Sequence, residues 1–224
     1  MPAILFGSIS SVVDTSELQR QAFNDAFQHH GLNWHWDQEL YRDLLQSNGG
    51  AQRIAAYGAD RGVEVDADAV HATKSSRFQQ LLAETSPSAR PGVLETIRAA
   101  QASDVAVGMA TTTSPLNVAA ILRAAGISQD ELDLVLTRED VDEGKPAPEV
   151  YLTALQQLEL TAEECIAVED NVGGVDAAAD AGIRCVALPN ANTARHDFGR
   201  ADQVEAALDP AALVAAVSGT AAAS

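Results

Sequence analysis

Lysine is nearly missing from this sequence. Its 14 basic residues comprise twelve arginines and only two lysines, Lys74 and Lys145, against 32 acidic residues, for a net charge of −18. Such a balance excludes a nucleic-acid partner, because a phosphate backbone demands clustered Lys and Arg. It also means that any phosphorylated ligand depends on a local positive pocket, so where the two lysines fall is informative. Cysteine is as scarce: Cys165 and Cys185 form no C-x-x-C pair, and both read as buried, inert thiols in a reducing compartment. No apolar run reaches the roughly 18 residues that cross a bilayer. Met1-Pro2-Ala3 places no basic residue before the first apolar run, so it does not read as a signal peptide, and the expected location is the cytoplasm.

What is present is the material of an ordinary globular protein. The chain has 224 residues, 46% hydrophobic and 21% charged, enough for one domain or one domain with an insert. Ala3-Ile4-Leu5-Phe6, ended by Gly7, reads as a buried parallel strand, and 105–110, 134–136, 165–168 and 184–188 read the same way. Helical patterns lie between them, one stopping at Gly126 and another at Gly182. Strands alternating with helices indicate a parallel sheet covered on both faces.

Residues 16–85 break the rhythm. Phe23, Ala26, Phe27, Leu40, Leu44, Leu45 and Ile54 recur at helical spacing, with breaks at Gly31, Asn48-Gly49-Gly50 and Arg61-Gly62. Four helices are predicted there, forming a cap over the carboxyl ends of the sheet, where open α/β sheets bind ligands. Arg90-Pro91-Gly92 marks the return to the core. The alanine-rich tail from Ala211 is expected to hold a last short helix and then fray. The predicted fold class is α/β: a Rossmann-like parallel-sheet core (1–15 and 86–224) with a small helical cap domain (16–85) inserted after the first strand.

Three polar clusters fall at strand ends. Thr111-Thr112-Thr113-Ser114 leads into a helix starting near Pro115, where hydroxyls and free N–H groups suit a phosphate, or simply cap the helix. Lys145 stands on a rigid turn between Gly144 and Pro146. Glu169-Asp170, before Asn171-Val172-Gly173-Gly174, pairs two carboxylates as a hard-cation site would, although an N-cap role would explain Asp170 alone. His29, His30 and His35 lack a ligand-like partner set and read as exposed or packing residues.

In this order the three clusters resemble the motifs of the haloacid-dehalogenase superfamily. Asn33-Trp34-His35-Trp36-Asp37, Tyr41-Arg42-Asp43-Leu44-Leu45, Gly49-Gly50, Arg53-Ile54, 110–114 and 193–198 further resemble its CbbY-like sugar-phosphate phosphatases, next to the β-phosphoglucomutases. The resemblance implies phosphate contacts from Thr111, Thr112 and Lys145, a magnesium site at Glu169 and Asp170, and substrate-facing cap positions at Gln19, Arg53, Lys74 and Arg77. In that family the first strand ends in Asp-x-Asp; the first aspartate attacks phosphorus and ligates magnesium, and the second serves as acid and base. Here Gly7 and Ile9 occupy those positions, and neither does that work. Gln19 and Ala51 stand where a histidine and a lysine are usual.

Ser8, Ser10 and Ser11 lack an evident base, and strand alternation turns Ser8 away from the Gly7 and Ile9 side. With Glu169, Asp170 and the Ile9 carbonyl as its remaining ligands, the magnesium site is expected to be weakened. The expected function is therefore a catalytically impaired binder or regulator for a small phosphorylated metabolite or a protein partner. One alternative is a hydrolase with an unconventional nucleophile or a water held by Glu169 and Asp170. The other is a structural protein that uses its cap for oligomerisation.

Overall fold

The computed structural model describes residues 1–46 and 49–221. In chain order it runs β1 (Ala3–Phe6), α1 (Ile9–Val12), α2 (Ser16–His29), α3 (Gln38–Leu44), α4 (Gly50–Ala59), α5 (Ala67–Thr85) and α6 (Val93–Gln101). It continues with β2 (Ala106–Ala110), α7 (Pro115–Ala125), β3 (Leu134–Leu136), α8 (Glu149–Leu158), β4 (Cys165–Glu169), α9 (Val172–Asp180), β5 (Arg184–Ala187), β6 (Gln203–Val204) and α10 (Pro210–Ala221). The Asn48 part of the expected helix break and the expected frayed end at 222–224 lie outside the described residues.

The sheet is fully parallel, in the order β3-β2-β1-β4-β5-β6, with β1 hydrogen-bonded to β2 on one side and β4 on the other. Alternation along β1 sends Ile4 and Phe6 into a layer built with α6, α7 and α10, and Ala3 and Leu5 into a layer built with α8 and α9. Burial on both faces is why this strand carries no polar side chain. Chain order reverses at β1, so the loops after β1, β2 and β4 part there and leave a crevice at their carboxyl ends.

Three strand boundaries differ from the sequence reading by one residue, and one matters. β4 extends to Glu169, so strand alternation sends that carboxylate into the α8/α9 layer and not towards the crevice. Two elements have no sequence signal strong enough to see: the single-turn α1 and the exposed two-residue edge strand β6. Helix starts follow ordinary capping chemistry. Asp37 accepts from Leu40 N at 2.9 Å, Asp66 from Ala69 N at 3.0 Å, and Asn171 from Gly174 N at 2.9 Å. Asn171, not Asp170, therefore caps α9.

Helices α2–α5 lie between β1 and β2 and have their own apolar cluster. Trp36, fully buried, is its centre, with ring centroids 4.7 Å from Phe23, 4.7 Å from Phe27 and 5.3 Å from Tyr57. Phe78, Leu81 and Leu82 at the far end of α5 belong instead to the sheet's core, which ties the two layers together. No helix among the described residues is long and apolar enough to cross a membrane. Trp36→Ala is expected to cost roughly 3–5 kcal/mol in urea unfolding; a loss under about 1 kcal/mol would show that the cluster does not hold the helical layer together.

Candidate active site

A cavity of about 230 Å³ opens between the carboxyl ends of the strands and the helical layer. From below it is lined by Gly7–Ser10 after β1, Thr111–Thr113 after β2, Lys145, and Asp170 after β4. From above come Gln19 and Phe23 of α2, Tyr41 of α3, Arg53 of α4, and His71 and Lys74 of α5. Of the residues singled out in the sequence, Gly7, Ile9, Gln19, Arg53, Lys74, Thr111, Thr112, Lys145 and Asp170 meet here. Glu169 and Arg77 do not.

Arg77 is directed outward, where it pairs with Asp25 at 2.7 Å and Glu84 at 3.1 Å, so a substrate contact from it is corrected to a surface ion pair. Glu169 lies beneath the cavity floor, fully buried. Its Oε1 accepts from Lys145 Nζ at 2.5 Å and from the Tyr151 hydroxyl at 2.9 Å, while Oε2 has no hydrogen-bond partner among the described residues. Burial raises this carboxyl above its ordinary range, and the Lys145 ammonium pulls it back part of the way.

The carboxylate has this room because two glycines flank it. A Cβ at Gly7 would overlap Glu169 Oε1 and the Tyr151 hydroxyl, and one at Gly174 would overlap the Glu169 carboxyl. Glu169 thus occupies the space that a side chain at position 7 would need. Lys145 is committed as well: besides Glu169 its ammonium donates to Gly7 O at 2.5 Å and Ala110 O at 2.8 Å, which uses all three protons. A phosphate contact from Lys145, which lines the cavity, would have to compete with these three acceptors.

Ser8 departs from the expectation too. The strand ends at Phe6, so alternation no longer governs Ser8, which caps α1 and faces the cavity. Its Oγ donates to Asp170 Oδ1 at 2.7 Å. Asp170 also accepts from Asn171 Nδ2 at 2.9 Å and Asn190 Nδ2 at 2.9 Å. The Ile9 carbonyl accepts the Val13 N–H at 3.0 Å.

This donor set does not fit magnesium. Of the two carboxylates only Asp170 faces the cavity, and it already accepts three hydrogen bonds. Among the described residues no group of three or more His, Cys, Asp or Glu is arranged to hold a metal. The donors that the floor offers a ligand are neutral, the Thr111, Thr112 and Thr113 hydroxyls and the Asn117 amide, and the Asp170 carboxylate lies among them.

Positive charge comes from the helical layer. Arg53 is buried and anchored by Nε to Leu44 O at 2.8 Å. Lys74 is buried, donates to Gln19 Oε1 at 3.0 Å, and lies over the Phe23 and Phe78 rings. Those rings favour the ammonium, yet burial and the nearby Arg53 outweigh them and bring its pKa down to about 7. His71, a turn earlier on α5, is lowered to about 4 by burial, Lys74 and Arg53, and is neutral at physiological pH.

His71 and Asn117 went unseen in the sequence. His71 precedes Lys74 by three residues on one helix face, and that spacing is the signal that would have found it. Lys74 itself falls four residues after Val70 and four before Phe78, both buried, and that pattern marks a buried lysine.

The amine's lowered pKa has a consequence for stability. Unfolded, Lys74 binds its proton up to about pH 10.5; folded, it loses it near pH 7, so its burial penalty is full below pH 7 and is relieved as pH rises. Unfolding free energy should therefore gain up to ~1.4 kcal/mol per pH unit from this group between about pH 7 and 8, before the thiols of the unfolded chain begin to lose their protons near pH 8.5 and offset it. Lys74→Met should flatten that slope in urea titrations; an unchanged slope would place the amine's proton loss elsewhere.

Known proteins share this sequence pattern and fold. Residues 9–182 match the family model of haloacid dehalogenase-like hydrolases, a match that begins two residues beyond Gly7. Protein CbbY of Cereibacter sphaeroides is 37% identical over 208 residues, covering 90% of each chain. Protein CbbY of the Cupriavidus necator plasmid is 36% identical over 208 residues, covering 88% of this chain and 82% of that one. The crystal structure of CbbY from Rhodobacter sphaeroides in complex with phosphate superposes with a TM-score of 0.85 at 35% identity, covering 92% of this chain and 95% of that one. A mutant of that protein in complex with xylulose-(1,5)bisphosphate superposes equally well, with a TM-score of 0.85. The chain belongs to the haloacid dehalogenase-like hydrolases, in the branch that contains the CbbY proteins.

Proposed function

We propose that this chain binds a small phosphorylated metabolite of the sugar-phosphate class and does not turn it over by a metal-dependent aspartyl mechanism. The observation that carries this reading is Glu169. Its carboxylate fills the space at Gly7 and takes the Lys145 ammonium, so neither a nucleophile nor a free cation remains at the floor. Ile9 adds no proton donor.

Binding without turnover uses what is left. The phosphate oxygens accept from the Thr111, Thr112 and Thr113 hydroxyls and the Asn117 amide, while Arg53 supplies opposing charge from above. Two solved structures of one relative, CbbY, with phosphate in one and a sugar bisphosphate in its mutant, support this ligand class.

A second reading has one observation in its favour, the 2.7 Å bond from Ser8 Oγ to Asp170. In it Ser8 Oγ attacks phosphorus, its proton passes to Asp170, and the bond to the leaving oxygen breaks to give phosphoserine. The Asn171 and Asn190 amides on the same carboxylate drain its basicity and weigh against that step.

Isothermal calorimetry with inorganic phosphate and with xylulose 1,5-bisphosphate, each with and without magnesium, separates these readings. Heat is expected with both ligands, with affinities changed less than about threefold by the metal, and with no phosphate released. Magnesium-dependent release, or silence with both ligands, would defeat the proposal, and a phosphorylated Ser8 peptide would establish the second reading. In the double variant Gly7→Asp with Ile9→Asp, Glu169 must leave its niche, so a stability loss of ~1–3 kcal/mol and a new magnesium dependence of phosphate binding are expected together.

A further inference from the structure

The two lysines of this chain stand in opposite states. Lys145 spends its three protons on Gly7 O, Ala110 O and Glu169 and is an ammonium locked in place. Lys74 lines the cavity with one hydrogen-bond acceptor among the described residues, the neutral amide oxygen of Gln19. No carboxylate pairs with it: the ion pairs among the described residues involve Arg20, Arg77, Lys145 and Arg200. Around it lie the Phe23 and Phe78 rings, and Arg53 adds a second positive charge. A desolvated amine beside another cation carries its lone pair near neutral pH, the condition under which lysines attack carbonyl carbon.

We propose that Lys74 condenses with the carbonyl of a small phosphorylated aldehyde or ketone held in the cavity, forming an imine. The Nζ lone pair forms the new bond to carbon as the carbonyl π pair moves to oxygen and takes a proton. The carbinolamine then expels that oxygen as water, which carries away both hydrogens of the amine, and a carbon–nitrogen double bond remains. No oxidant, reductant or metal enters the balance. Open-chain aldose and ketose phosphates have both features, a phosphate for the hydroxyl floor and a carbonyl for the amine. The ligand class rests on the phosphate-binding reading above, whereas the reactivity of Lys74 rests on its own surroundings.

Reductive trapping reads this directly, because the chain has only two lysines and an N-terminal amine to compare. The unsubstituted protein is incubated with glycolaldehyde phosphate and cyanoborohydride, and adducts are located by peptide mapping. Lys74 is expected to label at least tenfold faster than Lys145 in the folded chain, with the ratio near one in urea. Its rate is expected to rise with pH and reach half its maximum near pH 7. Labelling spread evenly over both lysines in the folded state, or absent from Lys74, overturns the imine. Glycolaldehyde without phosphate should label Lys74 at least tenfold more slowly, and equal labelling overturns the ligand class. If inorganic phosphate binds by calorimetry while Lys74 stays unlabelled, the imine fails and the phosphate reading stands.

Discussion

One ammonium organises the floor of this protein. Lys145, on the connection from β3 to α8, gathers Gly7 O at the end of β1, Ala110 O at the end of β2 and Glu169 at the end of β4. A charge taken out of water needs an anion close by, or it is destabilised by several kcal/mol. The residue that follows β1 is glycine and offers none. Glu169 answers instead, and it reaches only because Gly7 and Gly174 both lack a Cβ. The glycine at position 7 and the placement of Glu169 are thus one packing arrangement seen from two sides.

That pairing decides the electrostatics above it. With Lys145 neutralised, the floor presents hydroxyls and amides around Asp170, whose carboxylate repels an anion. In a chain of net charge −18, the attraction a phosphate needs comes from Arg53 across the cavity. The helical layer is therefore the binding partner of the ligand's charge as well as a cover, and Gln19 links the two sides. Its amide oxygen takes the Lys74 amine at 3.0 Å and its nitrogen reaches the Thr15 hydroxyl at 3.2 Å.

Sequence patterning made the fold legible because both signals were strong. The buried strands are short apolar runs, and the four helices of 16–85 repeat their apolar residues at helical spacing. The polar clusters at 111–114, 145 and 169–170 were visible for the same reason, since each follows a strand. What was not legible is direction. Glu169 and Asp170 look alike as letters, yet one more residue of β4 turns the first down and leaves the second facing the cavity. Ser8 carried the opposite error: alternation stops where the strand stops, and Ser8 is a helix cap. Arg77 was misplaced because a basic residue on α5 pairs with whichever carboxylates its face meets, here Asp25 and Glu84.

The scarcity of lysine then takes on a physical sense. On the outer faces Arg20, Arg77 and Arg200 pair with neighbouring carboxylates through planar, permanently charged guanidinium groups, while Arg53 and Arg90 are buried against backbone carbonyls. Both lysines line the cavity. At position 145 a compact ammonium sets three donors towards three converging acceptors, a geometry that a flat fork does not match. At position 74 the side chain lies beside Arg53 among aromatic rings, and only a group able to shed its proton avoids adding a second positive charge there. Arginine, protonated at any physiological pH, has no such exit. Lys145 is kept for its shape and Lys74 for its titration.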